Sequence, residues 1–331
     1  MPELFDVNFP LAYGGLLGEA GFRTINADFL VFEELGFTPS GEGEHVFLEI
    51  EKDGDNTAWI ARQIAALAGV ETRDIGYCGL KDRHGVTRQW FSVYLPKSVE
   101  PDWQTLQTDT LRVLNCTRHK QKLRRGQHLC NRFSIWLRGV TATPAELDKR
   151  LQLIAEHGVP NYFGPQRFGI DNGNLALAQR LLVDQIKIKN RPKRSMAISA
   201  ARSYLFNSVL AERVRQNCWQ LLLADETPIQ VAGQPLPSGP LWGRGRPLVS
   251  GAALELETQV LADWQHWCEP LEFTGLNQDR RALVSRVQDL TWLWDGRDLR
   301  LDFALGVGCY ATSVLAELLA TKLPERQSAP D

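Results

Sequence analysis

Hydrophobic and polar positions alternate in several short runs near both ends of the chain. Phe91, Val93 and Leu95 alternate with Trp90, Ser92 and Tyr94. Phe133, Ile135 and Leu137 alternate with Arg132, Ser134 and Arg138, and Leu299, Leu301, Phe303 and Leu305 with Arg300, Asp302 and Ala304. Residues two apart share one face of a strand, so each run predicts a strand with one buried face. Ile75 to Cys78 reads as a short apolar strand, and 27–50 as strands around the turn Ser40-Gly41-Glu42-Gly43. Helical spacing appears elsewhere. Trp59, Ile60, Ile64 and Leu67 fall on one face, with Asn56 or Thr57 as the cap and Gly69 as the stop. A helix after residue 310 has Thr312 as its cap and Val314, Leu315, Leu318 and Leu319 on its buried side. Residues 174–183 and 197–222 also read as helical, and 225–250 is rich in Pro and Gly. The economical arrangement is an α+β fold: a mixed sheet built from both ends of the chain, with an insertion between.

Composition narrows the class. The 331 residues are 44% hydrophobic and 23% charged, which excludes wholesale disorder, collagen and coiled coil. Six cysteines occur without a C-x-x-C pair or zinc-finger spacing, so they read as free thiols of a reducing cytosol. Met1 to Gly15 carries Glu3 and Asp6 and has no signal-peptide pattern. No stretch reaches the ~18 apolar residues of a membrane helix. The expected location is the cytoplasm, with no membrane partner, and nothing demands more than a monomer. The tail Glu325 to Asp331 is expected to fray.

The formal net charge of −2 hides two tracts without Asp or Glu. Thr110 to Val140 carries Arg112, Arg118, Lys120, Lys122, Arg124, Arg125, Arg132 and Arg138. Gln185 to Ala211 carries Lys187, Lys189, Arg191, Lys193, Arg194 and Arg202. Such segregation can present a positive face to phosphates; the plainer alternative is a solvated basic surface without a partner.

The chemistry concentrates in Gly79-Leu80-Lys81-Asp82-Arg83-His84-Gly85, a glycine-bounded loop between two strands. Cations on both sides of Asp82 favour a charged carboxylate, which can serve as nucleophile, general base or metal ligand. A surface turn with local ion pairs is the structural alternative. A metal role has the weaker case, because no second carboxylate stands nearby. The chain has no G-x-x-x-x-G-K-[ST], H-E-x-x-H or G-x-S-x-G, and no G-x-G-x-x-G after a strand.

The segment Gly79 to Trp90 resembles the catalytic motif of the TruD family of tRNA pseudouridine synthases. Four more segments resemble the family in the same order: Ala27-Asp28-Phe29-Leu30-Val31, Asn131-Arg132-Phe133, Val159 to Gly169, and Gly308-Cys309-Tyr310-Ala311-Thr312-Ser313-Val314. The resemblance covers about residues 20–319. It implies a pseudouridine-synthase catalytic domain of 1–156 and 285–331, interrupted by a TRUD-type insertion domain of 157–284. It implies an isomerase acting on tRNA, at uridine 13 of tRNA(Glu), with no metal or organic cofactor. Asp82 is the matching nucleophile. Phe29, Asn131, Tyr310, Phe133, Arg23 and Lys81 are the matching substrate-binding candidates, with sheet core as the bland alternative for Phe29 and Phe133. The chain departs from the family in having Arg23 for a common Lys, Asn26-Ala27 for Pro-Glu, and Gly306 for a common Pro.

An ionised Asp beside ribose and base suits the reaction by three routes: addition to C6 of uracil, capture of C1′, or removal of a sugar proton. The target base must leave its stack to be reached. The alternatives are a non-catalytic RNA-binding protein or tRNA chaperone on the same fold, and, more remotely, a metal-dependent nuclease, which would need a cluster of acids.

Overall fold

A computed structural model describes residues 5–96 and 99–324, so the expected frayed tail lies outside the described residues. The described residues form two compact units, one within 17–148, 287–309 and 319–324, the other within 5–16, 149–286 and 310–318.

The first unit is a ten-stranded mixed sheet. Its strands are β1 (Glu19–Phe22), β2 (Phe29–Leu35), β3 (His45–Asp53), β4 (Ile75–Tyr77), β5 (Val86–Tyr94), β6 (Leu111–His119), β7 (His128–Arg138), β8 (Gln288–Asp295), β9 (Asp298–Gly306) and β10 (Ala320–Lys322). The main order is β8-β9-β7-β2-β5-β3-β6; β1 joins β7 and β10, and β4 joins β5. β2–β5 and β1–β10 are parallel and the other pairs antiparallel. Both ends of the chain therefore supply strands, as the alternation predicts. β6 was not foreseen as a strand, because only its charges stood out.

Helix α1 (Thr57–Ala68) starts at Asn56, whose side chain accepts from the Ala58 amide at 2.8 Å, and stops at Gly69 with φ 65°. Ile60, Ala61, Ile64 and Ala65 are buried with Val46, Leu48, Ile50 and Phe91 of the sheet. Trp59, expected on that face, is 37% exposed. The inward stripe is centred between Ile60 and Ala61, where two alanines let the helix approach the sheet, and Trp59 falls outside it.

The second unit is mainly helical. It contains the later part of α2 (Pro144–His157), then α3 (Gly173–Leu182), α4 (Arg191–Arg215), α5 (Gly251–Val260), α6 (Gln265–Leu271) and α7 (Ala311–Ala316). Its core joins Phe168, Tyr204, Leu205, Phe206, Trp267 and Leu271. α4 differs from the expected 197–222. Asn190 caps it by accepting from the Lys193 amide at 3.0 Å, and Pro192 fits the first turn, where no amide partner is needed. α7 is entered from Tyr310 with no side-chain cap, so Thr312 is not the cap. Of the expected inward residues, Val314 and Leu315 are buried within it, while the helix stops at Ala316 and buried Leu318 and Leu319 lie beyond its end. The Pro- and Gly-rich stretch forms a small hairpin, Ile229–Val231 with Gln234–Leu236, followed by Ser238–Leu241 paired with Asp279–Ala282.

Candidate active site

The loop before β5 is tied down on several sides. The Lys81 amide donates to Thr57 Oγ1 at 3.0 Å, and Thr57 Oγ1 donates to Gln89 Oε1 at 2.8 Å. Gln89 Nε2 returns to the Gly79 carbonyl at 3.3 Å. Gly85 closes the loop against β2, where a Cβ would stand 2.6 Å from the Phe29 carbonyl oxygen. Below the loop, fully buried Lys52 donates from Nζ to the carbonyls of Asp55, at 2.7 Å, and Asp82, at 2.9 Å. Burial pushes the Lys52 ammonium down to about 8, against the pull of Asp55 and Asp82.

The Asp82 side chain is 40% exposed and meets Arg23, which is 11% exposed, with Nη2 and Oδ2 2.7 Å apart. Arg23 follows β1 with φ 56°, a left-handed conformation that costs a non-glycine residue ~1–3 kcal/mol. The strained turn delivers the guanidinium to Asp82 and lays it 3.9 Å from the centre of the Phe29 ring. The turn itself is held by buried Asp28, which accepts from the Ile25 amide at 3.1 Å and from Arg138 Nε at 2.9 Å.

The flanking cations do not face Asp82. Lys81 turns inward to a buried pair with Glu33 of β2, Nζ to Oε2 2.5 Å, while Arg83 Nε reaches the Gly54 carbonyl at 3.2 Å. A carboxylate inside the sheet attracts Lys81 more strongly than solvent-facing Asp82 does. The structure thus places Lys81, a substrate-binding candidate, in a pair that anchors the loop. Glu33 also accepts from the Trp90 amide at 3.2 Å.

The antiparallel register of β2 and β7 puts Glu33 opposite Asn131 and Val31 opposite Phe133. Phe29, Val31 and Glu33 alternate with Leu30 and Phe32, so Asn131 and Phe133 share their face. Phe29 is 2% and Phe133 9% exposed, with ring centres 6.1 Å apart. They form a floor; a freely exposed stacking face is not what the chain provides. Phe133 also stacks on Phe303 of β9 at 5.3 Å. Asn131 has a more pointed geometry. Its Nδ2 lies 3.1 Å from His128 Nε2, and its buried Oδ1 has no partner. A buried acceptor left open is costly and is a ready place for an N–H donor.

Tyr310 belongs to the helical unit. Its Oη is 3.0 Å from Arg167 Nη2, and Arg167 Nη1 donates to Ser199 Oγ at 3.0 Å. Arg167 lies in the Val159 to Gly169 segment, and its link to Tyr310 had no sequence signal. Other polar residues of that region are structural: Asn207 brackets Phe163, accepting from its amide at 2.9 Å and donating to its carbonyl at 3.0 Å.

Among the described residues, Glu33, Cys78 and His128 form the one group whose ligand atoms lie close enough to hold a metal, within 4.8 Å of one another. The donor set does not suit a cation. The Lys81 ammonium already occupies Glu33, and burial pushes the Cys78 thiol up to about 12. Burial, with Lys81 second, pushes His128 down, and its Nε2 is engaged by Asn131.

The two basic tracts fare differently. In the first, Arg118 pairs with Glu100, Lys120 with Glu42, Arg132 with Glu34 and Asp289, and Arg138 with Asp28 and Asp298. Lys122 is spent on the Arg73 carbonyl. Arg124 and Arg125 are exposed and make no ion pair among the described residues. In the second tract none of the six cations has an ion pair among the described residues, and Arg202 alone is tied, to two carbonyls.

Asp82 is paired with Arg23, whose guanidinium lies on the Phe29 ring, and the adjoining strand β7 carries Phe133 and the unpartnered Asn131 Oδ1. Comparison with known proteins identifies the family. Residues 15–187 match the family model of tRNA pseudouridine synthase D (TruD). The chain belongs to the TruD family. It is 51% identical to tRNA pseudouridine synthase D of Cellvibrio japonicus over 323 residues, which span 96% of this chain and 94% of that one. It is 43% identical to the protein of the same name from Aeromonas salmonicida over 330 residues, 94% and 92% of the two chains. A crystal structure assigned to tRNA pseudouridine synthase D of Methanosarcina mazei superposes with a TM-score of 0.71 at 18% identity, covering 94% of this chain and 95% of the other. That likeness establishes the TruD fold.

Proposed function

We propose that this TruD-family protein isomerises uridine to pseudouridine in tRNA, at uridine 13 of tRNA(Glu), with Asp82 as the nucleophile. The observation that carries the reading is the Asp82 carboxylate, open to solvent yet held 2.7 Å from Arg23 on a loop anchored by Lys52 and Lys81. Residues 1–156 and 285–331 are the catalytic domain in this reading, and 157–284 the insertion domain.

The reaction breaks N1–C1′ and forms C1′–C5 in the same nucleotide; C5 gives up its hydrogen and N1 gains one, so nothing is consumed. Asp82 attacks or takes the proton, since its carboxylate is the exposed base of the loop. Arg23 orients that carboxylate and balances charge as the base leaves. Asn131 Oδ1, lacking a partner, can accept from N3–H of uracil. Phe29 and Phe133 form the apolar floor beneath. Tyr310 binds RNA through its ring or its hydroxyl, held by Arg167. No cofactor enters the scheme.

Tritium release from tRNA labelled at C5 of uridine tests this directly. Release by the wild type, and none by Asp82→Asn with tRNA binding retained, is the expected result. Mapping the product on tRNA(Glu) then tests position 13. No release by wild type would move the protein to the RNA-binding alternative, and activity in Asp82→Asn would remove the nucleophile.

A further inference from the structure

A cavity of ≈ 650 Å³ lies in the helical unit against the first three turns of α4. Arg191, Arg194, Ser195, Ile198, Ser199 and Arg202 recur at spacings of three and four, so one face of the helix lines it. Phe163 and Leu241 supply apolar wall, and Thr274 a hydroxyl. No carboxylate lines it. Arg202 is braced at the inner end: Nη2 donates to the carbonyls of Leu241, at 2.8 Å, and Asn277, at 2.9 Å, while its buried Nε has no partner. Asp279 is the acid that acts on Arg202, and burial outweighs it, lowering the affinity of the guanidinium for its proton. Arg191 and Arg194 are exposed and make no hydrogen bond or ion pair through their side chains among the described residues. Lys187, Lys189 and Lys193 continue the same exposed run without acids.

Three guanidinium groups around one space with no carboxylate in its lining are a poor arrangement for stability. They repel one another, and nothing within the cavity offsets that. Forked guanidinium donors match phosphate oxygens two at a time. The volume lies within the range of small-ligand pockets and exceeds a lone phosphate group, so the apolar wall has room for a sugar or base. The helix N-terminus adds a modest positive potential at the same end. The shared Ser199 links this wall to Arg167 and, through it, to Tyr310.

We propose that this cavity takes a phosphodiester of the RNA substrate together with its nucleotide, and that Arg191 and Arg194 are its phosphate ligands. The proposal rests on the RNA-isomerase reading above. The exposed lysine run favours a continuous strand over a free nucleotide, because it extends the positive track beyond what one nucleotide can reach.

The test uses the full chain, as wild type and as the double variant Arg191→Gln/Arg194→Gln. Binding to tRNA(Glu), labelled at C5 of uridine so that turnover is read in parallel, is measured over a range of KCl. Each lost phosphate contact should flatten the log–log salt slope by about 0.7–1, so a change of about 1–2 is expected. The loss should fall on KM, about tenfold, rather than on kcat. Inorganic phosphate and uridine 5′-monophosphate serve as competing probes, and neither should displace tRNA at millimolar concentration. An unchanged slope and KM would overturn the proposal. So would uridine 5′-monophosphate displacing tRNA from the wild type but not from the variant, which would make this a free-nucleotide pocket. A flattened slope in a protein that releases no tritium would keep the cavity as an RNA grip while removing the isomerase reading.

Discussion

The two acid-free tracts look alike in the sequence and end up as opposites. Residues 110–140 become β6, β7 and the turn between them. Antiparallel neighbours bring acids from other segments to them: Glu34 of β2 to Arg132, and Asp28 and Asp298 to Arg138. Residues 185–211 run into α4, where the acid-free spacing survives folding and three arginines share a cavity without a carboxylate. A sheet mixes distant segments at every rung, while a helix keeps local composition on its own faces. Linear charge is therefore a better guide to the surface of a helix than to that of a strand.

Breaking one pair of the first tract should cost stability rather than RNA affinity. Arg138→Met leaves Asp28, fully buried, without its cation. Removing one partner of a buried ion pair typically costs ~3–5 kcal/mol, and the lower end applies because Arg138 is partly exposed. Urea unfolding should show a midpoint shift to match, with the tRNA salt slope unchanged. A stable variant with weakened tRNA binding would mean that Arg138 faces RNA after all.

Around the site, alternation becomes informative once the strands are placed. Val46, Leu48, Ile50 and Lys52 have one parity, and so do Phe29, Val31 and Glu33. A lysine and a glutamate in line with core residues announce buried charges that need partners. The partners were not legible. That Lys81 turns to Glu33 and Arg23 to Asp82 depends on β2 lying beside β5 and on a left-handed residue after β1, and neither follows from local sequence. The motif order identified the family and singled out the loop that carries Asp82. It did not separate residues that touch substrate from residues that brace the loop, because both kinds occur in the same segments. Trp59 shows the same limit in a helix: apolar identity suggested burial, but the stripe centred on Ile60 and Ala61 leaves it outside.

Lys52 offers a second way to sharpen the contrast between charges used for bracing and charges left open. Replacing it by Met strips two carbonyls of their donor, one belonging to Asp82, so kcat should fall about tenfold while KM for tRNA holds. Its pH signature follows from linkage. The folded value of about 8 lies below the ordinary lysine value of about 10.5, so between them the unfolded chain binds more protons. Wild-type stability should gain from Lys52 as pH rises through that window. The neutral amine still has two hydrogens for two carbonyls, so the brace survives. The destabilisation by Lys52→Met should therefore grow from pH 8 to 10.5, and a flat difference would show that the lysine is not held in its buried position.

The smallest expected effect lies in the remnant of the first tract. Arg124 and Arg125 sit on the exposed turn between β6 and β7, and neither is ion-paired among the described residues. With exposed Arg112 of β6, they are the cations of that tract left without an ion pair or side-chain hydrogen bond among the described residues. Arg124→Gln/Arg125→Gln should flatten the salt slope by at most about 1–2, and by less than the α4 pair does if the open cavity is the stronger grip. Charge reversal at Lys122, Arg124 and Arg125 together should enlarge the effect without changing its order. If the turn variant instead flattened the slope more than the α4 variant, the turn would be the main phosphate contact, and pairing within the sheet would have spared the residues that matter.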